Sequence, residues 1–266
     1  MSLPIIPTRV ARAGVTEHWF CGHRVLGELA GNETAMGMLG LAIGGRRLDP
    51  NEREALDHLS VVITMADPRI WPLKISRLVS AYGRAAVAVG AANLYQDQGI
   101  IGPAVVREAG FLLEALGREV ELGGEVEQAA RRLVNSGIRL GGFGVPMRPV
   151  DERLAALVPR IEALGRTKLK YWRFMQALTP IVKGAKDLEP NIAIGAAALM
   201  MDMGMSPKQA SLLTLAMVQA SFFGNALEGA EQAPEVLRRL PDEFVTYLGR
   251  GPRRSPRFER AHSKNE

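Results

Sequence analysis

Two helix-start patterns constrain the fold of this chain more than any other sequence feature. Asp49-Pro50-Asn51-Glu52 and Ser206-Pro207-Lys208-Gln209 each place a capping side chain before a proline, with an acidic or amide residue at the third helical position. Such patterns satisfy the free N–H groups of a first helical turn and are typical of helix N-termini. Apolar residues also recur at helical spacing over Leu73–Leu94, and charges lie on one face of Glu125–Leu133 and Asp151–Leu164.

Strand-like alternation is nearly absent from the sequence, with one short hairpin expected before Leu29. Glycine pairs at 44–45, 123–124 and 141–142 separate the helical segments. The 266 residues, 47% of them apolar and 23% charged, suffice for a large globular domain with a smaller appendage. We therefore predict an all-α protein of about ten helices.

The composition also predicts a compartment. A single cysteine, Cys21, excludes a framework of intrachain disulfides and suits a reducing cytosol. The first residues, Met1–Pro4, lack the charged segment and apolar run of a signal peptide. Two apolar stretches, Ile192–Met205 and Leu212–Leu227, are shorter than a membrane span and contain polar residues, so we interpret them as buried core helices. We predict a soluble, cytoplasmic protein that makes no membrane contact.

Most of the net charge of +5 lies at the C-terminus, because residues 250–266 contribute +4 of it. A basic tail can bind nucleic acid, but only one aromatic residue, Phe258, lies within it and no nucleic-acid motif accompanies it. We favour a solvated chain end, with a clamp for the phosphates of a nucleotide cofactor as the alternative. No nucleic-acid partner is predicted.

Residues 141–153 form the most informative motif and read Gly-Gly-Phe-Gly-Val-Pro-Met-Arg-Pro-Val-Asp-Glu-Arg. This motif resembles the Gly-Phe-Gly-His…Asp-Pro-Arg loop of the citrate synthase superfamily, with valine at the histidine position. The resemblance covers about residues 20–255. Five further segments align with the family, the last of them with its short branch that contains the citryl-CoA lyases: Ala66-Asp67-Pro68, Gly102-Pro103-Ala104-Val105, Asn191-Ile192-Ala193, Gly224-Asn225-Ala226-Leu227-Glu228 and Tyr247-Leu248-Gly249-Arg250-Gly251-Pro252-Arg253.

The resemblance implies a citrate synthase-like architecture, in which a large helical domain carries an inserted smaller helical domain. It places the large domain at residues 1–110 and 210–255 and the small domain at 111–209, and it leaves a basic tail at 256–266. It also implies a homodimer whose large domains pack through helices.

The resemblance further predicts that the acid–base groups of the family are replaced in this chain. The family's catalytic aspartate falls on Ala193, and its two catalytic histidines fall on Val105 and Val145. None of these three side chains can donate or accept a proton, so the usual mechanism is not expected, and a pocket lined by them suits an apolar acyl group. The histidines that help to hold a dicarboxylate in the family fall on Asn225 and on either Met65 or Pro68.

The part of the family site that binds coenzyme A is retained. The resemblance assigns the adenine end of the cofactor to the backbone of the glycine loop, here Gly142, Phe143 and Gly144. Arg148 and Arg153 can pair with a phosphate or a carboxylate. The alternatives are a simple tight turn between helices and arginines on a solvated surface.

Other polar residues are candidates for the missing chemistry. Tyr95 and Asp97 precede the Gly102-Pro103 segment, and Asn225 can orient a carbonyl together with Glu228; exposed helix ends and helix packing are the alternatives. The segment Glu17–His23 gathers a carboxylate, two histidines and the cysteine, but its spacing matches no zinc pattern, so no metal site is predicted.

We therefore predict an enzyme that binds an acyl-CoA and acts next to its thioester through a non-standard site. The reaction is carbon–carbon cleavage or condensation, or a related hydration, hydrolysis or decarboxylation. The alternative is a catalytically inactive acyl-CoA-binding homologue or a regulatory partner subunit. A titratable side chain in the pocket favours the enzyme, and an entirely apolar pocket favours the inactive homologue.

Overall fold

The architecture is helical, as predicted. The computed structural model describes residues 5–64, 67–98, 101–145, 148–232, 241, 243 and 246–250, without the side chains of 97 and 98. The predicted basic tail at 256–266 and Met65 lie outside the described residues. Eleven α-helices are found in this part of the chain: α1 (Ala35–Gly44), α2 (Pro50–Val62), α3 (Trp71–Tyr82), α4 (Ala85–Gln98), α5 (Pro103–Glu121), α6 (Val126–Asn135), α7 (Glu152–Ala163), α8 (Lys170–Lys186), α9 (Ile192–Met201), α10 (Pro207–Met217) and α11 (Gln219–Glu231).

Both predicted helix starts are confirmed in atomic detail. The Asp49 side chain accepts a hydrogen bond from the Glu52 N–H at the start of α2, and the Glu52 side chain accepts one from the Asp49 N–H. Ser206 and Gln209 make the same reciprocal pair at the start of α10. These local bonds explain why both helices begin where the sequence predicts.

Two apolar stretches that the sequence presents as continuous are each divided into two helices. Leu73–Leu94 is interrupted at Gly83, whose extended backbone ends α3 and whose N–H donates to the Ser80 carbonyl. The stretch Leu212–Leu227 bends at Val218, where α10 ends and α11 begins. In both cases the apolar pattern continues across the break because both helices of the pair bury residues in the same core.

The N-terminal hairpin expected before Leu29 is present as a small antiparallel sheet. Its strands are β1 (Ala11–Ala13), β2 (His18–Phe20) and β3 (His23–Arg24), paired in the order β1-β2-β3. A π-helical turn, Val25–Leu29, follows directly. The buried Glu17 carboxylate joins the sheet to this turn, because it accepts from the Leu26 and Gly27 N–H groups and from the Arg24 guanidinium.

The core is centred on α9, in which all ten residues are buried. This helix packs against α5, α7, α8 and α10. The methionines that follow and end it, Met200, Met201, Met203 and Met205, are all buried and fill the core with flexible side chains. At its C-terminal end, the Asp202 carboxylate accepts hydrogen bonds from the Tyr171 and Trp172 N–H groups, and so caps the start of α8.

One helical stretch in the described part of the chain, Pro207–Glu231, is long and apolar enough to cross a membrane by length and composition alone. Half of its most apolar window is buried inside the fold, where α10 packs on α5 and α11 packs on α3 and α4. This burial supports our interpretation of the stretch as core helices.

Candidate functional site

The glycine loop forms a turn held against the start of α9. Gly142 and Gly144 have φ angles of +85° and +94°, in the left-handed region that glycine adopts without strain. The Asn191 N–H donates to the Gly142 carbonyl at 2.8 Å, and the Asn191 side-chain amide donates to the Gly144 carbonyl at 2.9 Å. The Gly144 N–H in turn donates to the Glu189 carbonyl at 2.7 Å. Three hydrogen bonds therefore hold the turn against the segment 189–191.

Close packing explains why the first two residues of this turn are glycines. A Cβ atom on Gly142 would lie 2.5 Å from the Cβ of Ile194 on α9 and 3.0 Å from the Cβ of Ala109 on α5. A Cβ atom on Gly141 would lie 2.6 Å from the backbone carbonyl carbon of Glu108 on α5. The turn is thus wedged between two core helices, with no room for a side chain.

Gly144 lies in a different environment from the two preceding glycines. A Cβ atom there would meet only a methyl group of Leu188, at 3.8 Å. The last glycine of the turn therefore has space beside it. This open side is the part of the turn that a ligand can approach closely.

Asp151 ties the loop to both neighbouring helices. Its buried side chain, 1% exposed, accepts from the Ile192 N–H at the start of α9 (2.9 Å) and from the backbone N–H and the guanidinium of Arg153 in α7. Burial raises the pKa of Asp151, but the hydrogen bonds from Arg153 and Ile192 outweigh it, so the pKa lies below the usual value. The sequence analysis assigned no role to Asp151, although an aspartate just before a helical pattern is a capping signal.

The three positions predicted to line an apolar pocket each lie close in sequence to the turn or to a residue that packs against it. Val105 lies one helical turn before Ala109 on α5, and therefore on the same face as the residue that contacts the glycine turn. Val145 follows Gly144 directly, and Ala193 is buried in the first turn of α9. The predicted pocket residues thus come from three separate segments, each of which also contributes to the turn or to its packing, and the pocket itself stays a prediction.

Two exposed arginines form ion pairs with nearby carboxylates. Arg148, predicted to bind the cofactor, forms an exposed ion pair with Glu152. Arg69, which the sequence analysis did not select, makes bidentate hydrogen bonds to Asp67 and is 89% exposed. The Arg69 side chain and N–H lower the pKa of Asp67 to about 2, and the charge of Arg148 makes a smaller contribution in the same direction. Both guanidinium groups are exposed, and each is paired with a carboxylate.

Arg153, which was also predicted to bind the cofactor, is paired with the buried Asp151. Two of its guanidinium nitrogens donate to Asp151 at 2.8 and 2.9 Å, although the side chain is partly exposed. Phe143 is partly buried against the core and pairs through its backbone with Pro190.

Two of the predicted catalytic candidates are engaged elsewhere in the fold. Arg77 of α3 donates to Asn225 at 3.2 Å and to Glu228 at 2.6 Å, both on α11. The Asn225 amide also donates to the Ser221 carbonyl. Arg77 lowers the pKa of Glu228 through this hydrogen bond and its charge. These contacts join α3 to α11.

The other two catalytic candidates lie near the end of α4. Tyr95 is exposed, and the side chain of Asp97 lies outside the described residues. Between them in the sequence, Gln96 is completely buried.

No cluster of three metal-binding side chains occurs within the described residues. In the N-terminal segment that gathers histidine and cysteine, the His23 ring instead bonds to Glu28 at 2.7 Å.

Comparison with solved structures identifies the fold. The chain superposes on citryl-CoA lyase from Hydrogenobacter thermophilus with a TM-score of 0.80 and 18% identity, over 97% of this chain and 100% of that one. It matches ATP citrate lyase from Methanosaeta concilii, solved with (3S)-citryl-CoA, with a TM-score of 0.73 and 16% identity, over 94% of this chain and 43% of that one. Citrate synthase from Thermoplasma acidophilum, solved with carboxymethyl coenzyme A and oxaloacetate, gives 0.54 and 17%, over 84% and 59% of the two chains.

The chain therefore has the fold of the citrate synthase superfamily, as the sequence resemblance predicted. No protein-family model matches the chain. No curated protein matches it in sequence either.

Proposed function

We propose that this protein binds an acyl-CoA at the glycine turn and acts next to its thioester. The observation that carries the proposal is the turn at 141–144, which is wedged between α5 and α9, has open space at Gly144 and is followed in sequence by the exposed Arg148. A glycine turn allows the close approach of a nucleotide, and guanidinium groups pair with phosphates. The structural relatives solved with CoA ligands support the same ligand class.

The proposed reaction is carbon–carbon cleavage or condensation, or a related hydration, hydrolysis or decarboxylation. The apolar side chains of Val105, Val145 and Ala193 favour an acyl group less polar than citryl. Of the titratable candidates, Tyr95 and Asp97 remain proposals, whereas the pairing of Glu228 with Arg77 favours a role in helix packing.

A second candidate is a non-catalytic acyl-CoA-binding homologue or regulatory subunit. It is favoured by the apolar residues around the turn and by the engagement of Asn225 and Glu228 with Arg77. Turnover of a bound acyl-CoA distinguishes the enzyme from this alternative.

Calorimetric titration with CoA, acetyl-CoA and octanoyl-CoA tests the ligand class. We expect all three to bind, and octanoyl-CoA to bind more tightly because each methylene transferred to an apolar pocket contributes up to about 0.8 kcal/mol. Arg148→Ala should weaken the binding of all three by about three- to tenfold, since a charge-assisted contact to phosphate is lost.

Arg118→Ala provides the matched control, because Arg118 forms the same kind of exposed ion pair with Glu114, four residues before it on α5. It should leave the three affinities unchanged. Equal affinities for CoA and both of its thioesters would remove the apolar pocket from the proposal. Absence of binding to any of them would overturn the proposed function.

We further propose that the protein is a cytoplasmic homodimer. In each chain, residues 1–110 and 210–255 form the large domain and residues 111–209 form the small domain. Both α5 and α10 run across the borders of that division, which stays a prediction. The proposed dimer surface lies on α4 and α11, which pack together through reciprocal hydrogen bonds between Asn93 and Gln219. Its four large apolar side chains are exposed in the single chain: Val87, Leu94, Phe223 and Leu227.

Light scattering coupled to size exclusion tests this surface. We expect a molar mass twice that of one chain, and the mass of a single chain for Phe223→Glu, since a charge would be buried in an apolar contact. Val61→Glu is the control, because Val61 is equally exposed but lies on α2. A single-chain mass for the unmodified protein would contradict the dimer.

A further inference from the structure

The side chain of Gln96 is buried without a hydrogen-bond partner. The residue is 0% exposed, and neither its Oε1 nor its Nε2 atom has a partner among the described residues. A buried amide that has lost its water without gaining a protein partner destabilises the folded state, so such groups are rare and call for an explanation.

The neighbouring amides show that this fold does satisfy such groups elsewhere. Asn93, one helical turn earlier on α4, exchanges two hydrogen bonds with Gln219 at 3.0 and 2.9 Å. Gln209 donates to the Ile43 carbonyl at 2.7 Å. Gln96 is therefore an exception within its own helix, and packing alone does not account for an amide at this position.

The unpartnered amide lies against the start of α5. Gly102, the residue before that helix, has a φ angle of +68°, and a Cβ atom there would lie 2.4 Å from the Gln96 Nε2. No side chain in the described part of the chain caps α5, and its first residue Pro103 has no N–H. The Val105 and Val106 N–H groups both donate to the Gly102 carbonyl. The Gln96 donor and the positive end of a 19-residue helix thus lie side by side.

The start of α9, in contrast, has side-chain acceptors for its N–H groups. There the Ile192 N–H donates to Asp151, and the Ala193 N–H donates to the side chain of its cap, Asn191. Of these two helix starts, that of α5 lacks a side-chain acceptor among the described residues. At the start of α5, the Gln96 amide is thus a buried donor that no oxygen atom among the described residues receives.

We propose that the Gln96 Nε2 and the start of α5 bind the carbonyl oxygen of the acyl thioester. This inference rests on the proposed acyl-CoA binding and names the residue that recognises the acyl group within it. The amide donates an N–H to the oxygen, and the helix N-terminus favours the partial negative charge there. Because the amide is shielded from solvent, this hydrogen bond would form without competition from water. An oxygen reaches the amide only after a local movement at Gly102, whose backbone has no side chain to obstruct it.

Gln96→Met tests the proposal, since methionine has a similar shape and removes only the amide. We expect the midpoint of thermal unfolding to rise by several degrees, because an unsatisfied polar group is lost. Binding of acetyl-CoA should weaken by about tenfold relative to the unmodified protein, whereas binding of free CoA, which has no carbonyl at the sulfur, should stay within twofold.

Asn93→Leu is the matched control, as it replaces an amide on the same helix whose hydrogen bonds are satisfied. It should lower the unfolding midpoint and leave the ratio of acetyl-CoA to CoA affinity unchanged. Gln96→Leu provides a second apolar variant should methionine pack poorly.

Three outcomes distinguish a failure of this Gln96 proposal from a failure of the proposed acyl-CoA binding. A lower unfolding midpoint for both Gln96 variants with an unchanged affinity ratio would overturn this proposal, because the amide would then be satisfied by a buried water. Equal loss of CoA and acetyl-CoA binding would also overturn it. If the unmodified protein binds neither ligand, the proposed function itself fails.

Discussion

Replacing Asp151 with alanine is expected to lower the free energy of unfolding by about 3 kcal/mol. The change leaves the Ile192 N–H at the start of α9 without its acceptor and removes the partner of the Arg153 guanidinium. The Ile192 hydrogen bond is buried, so water cannot replace the lost acceptor at no cost. Urea unfolding at neutral pH measures the difference.

The adjacent carboxylate provides the control. Glu152→Ala removes an exposed ion pair with Arg148 and should change the unfolding free energy by less than about 0.5 kcal/mol. A loss of less than 1 kcal/mol for Asp151→Ala would mean that the start of α9 is held by its other contacts, with Asp151 dispensable.

The same residue predicts a dependence on pH. Because the pKa of Asp151 is lower in the folded than in the unfolded chain, its stabilising contribution is fully present above the unfolded value of about 4. It disappears as the pH falls through the folded pKa. The stability difference between the unmodified protein and Asp151→Ala should therefore be constant above about pH 5 and shrink below about pH 4.

Gly142→Ala is expected to destabilise the fold by about 3 kcal/mol and to abolish measurable CoA binding. About 1–2 kcal/mol comes from the left-handed backbone, and a similar amount from forcing a methyl group to within 2.5 Å of the Ile194 Cβ. Relief of this clash requires the turn to move away from α9, which displaces the proposed binding surface. Urea unfolding and CoA titration provide the two measurements.

Gly144→Ala separates backbone strain from packing. Its φ angle is equally positive, but a methyl group there meets only Leu188 at an ordinary distance, so about 1 kcal/mol is expected. The added methyl group lies on the open side of the turn, where it should still weaken CoA binding. If both variants lose the same stability, the close packing of Gly142 has no energetic consequence and our account of the turn is wrong.

Local signals predicted the helices well. The reciprocal caps at Asp49 and Ser206 depend only on residues three apart, so the sequence is sufficient to place the starts of α2 and α10. The break at Gly83 was not predicted, because apolar residues continue at helical spacing on both of its sides. The fold class was predicted correctly from motifs that are dispersed along the chain.

The candidate site was predicted only in part, because several of its contacts join residues that lie far apart in the sequence. The glycine turn is recognisable because its conformation requires particular residues in succession. The roles of Asp151 and Arg77 depend on partners that lie 41 and 151 positions away in the sequence. The role of Gln96 depends on the lack of a hydrogen-bond partner among the described residues. No local pattern indicates that an aspartate before one helix also caps another, or that one glutamine of a polar helix end is sealed from solvent.

The complete enclosure of α9 limits how its sequence can change. Most surface helices accept substitutions on their solvent face, but α9 has none, since every residue between Ile192 and Met201 is buried. Volume is the constraint at each position: a Cβ atom on Gly195 would already lie 2.6 Å from a methyl group of Leu154. A substitution in α9 that enlarges a side chain is therefore expected to disturb several neighbouring helices at once, whereas the surrounding helices can accept such a change on their solvent faces.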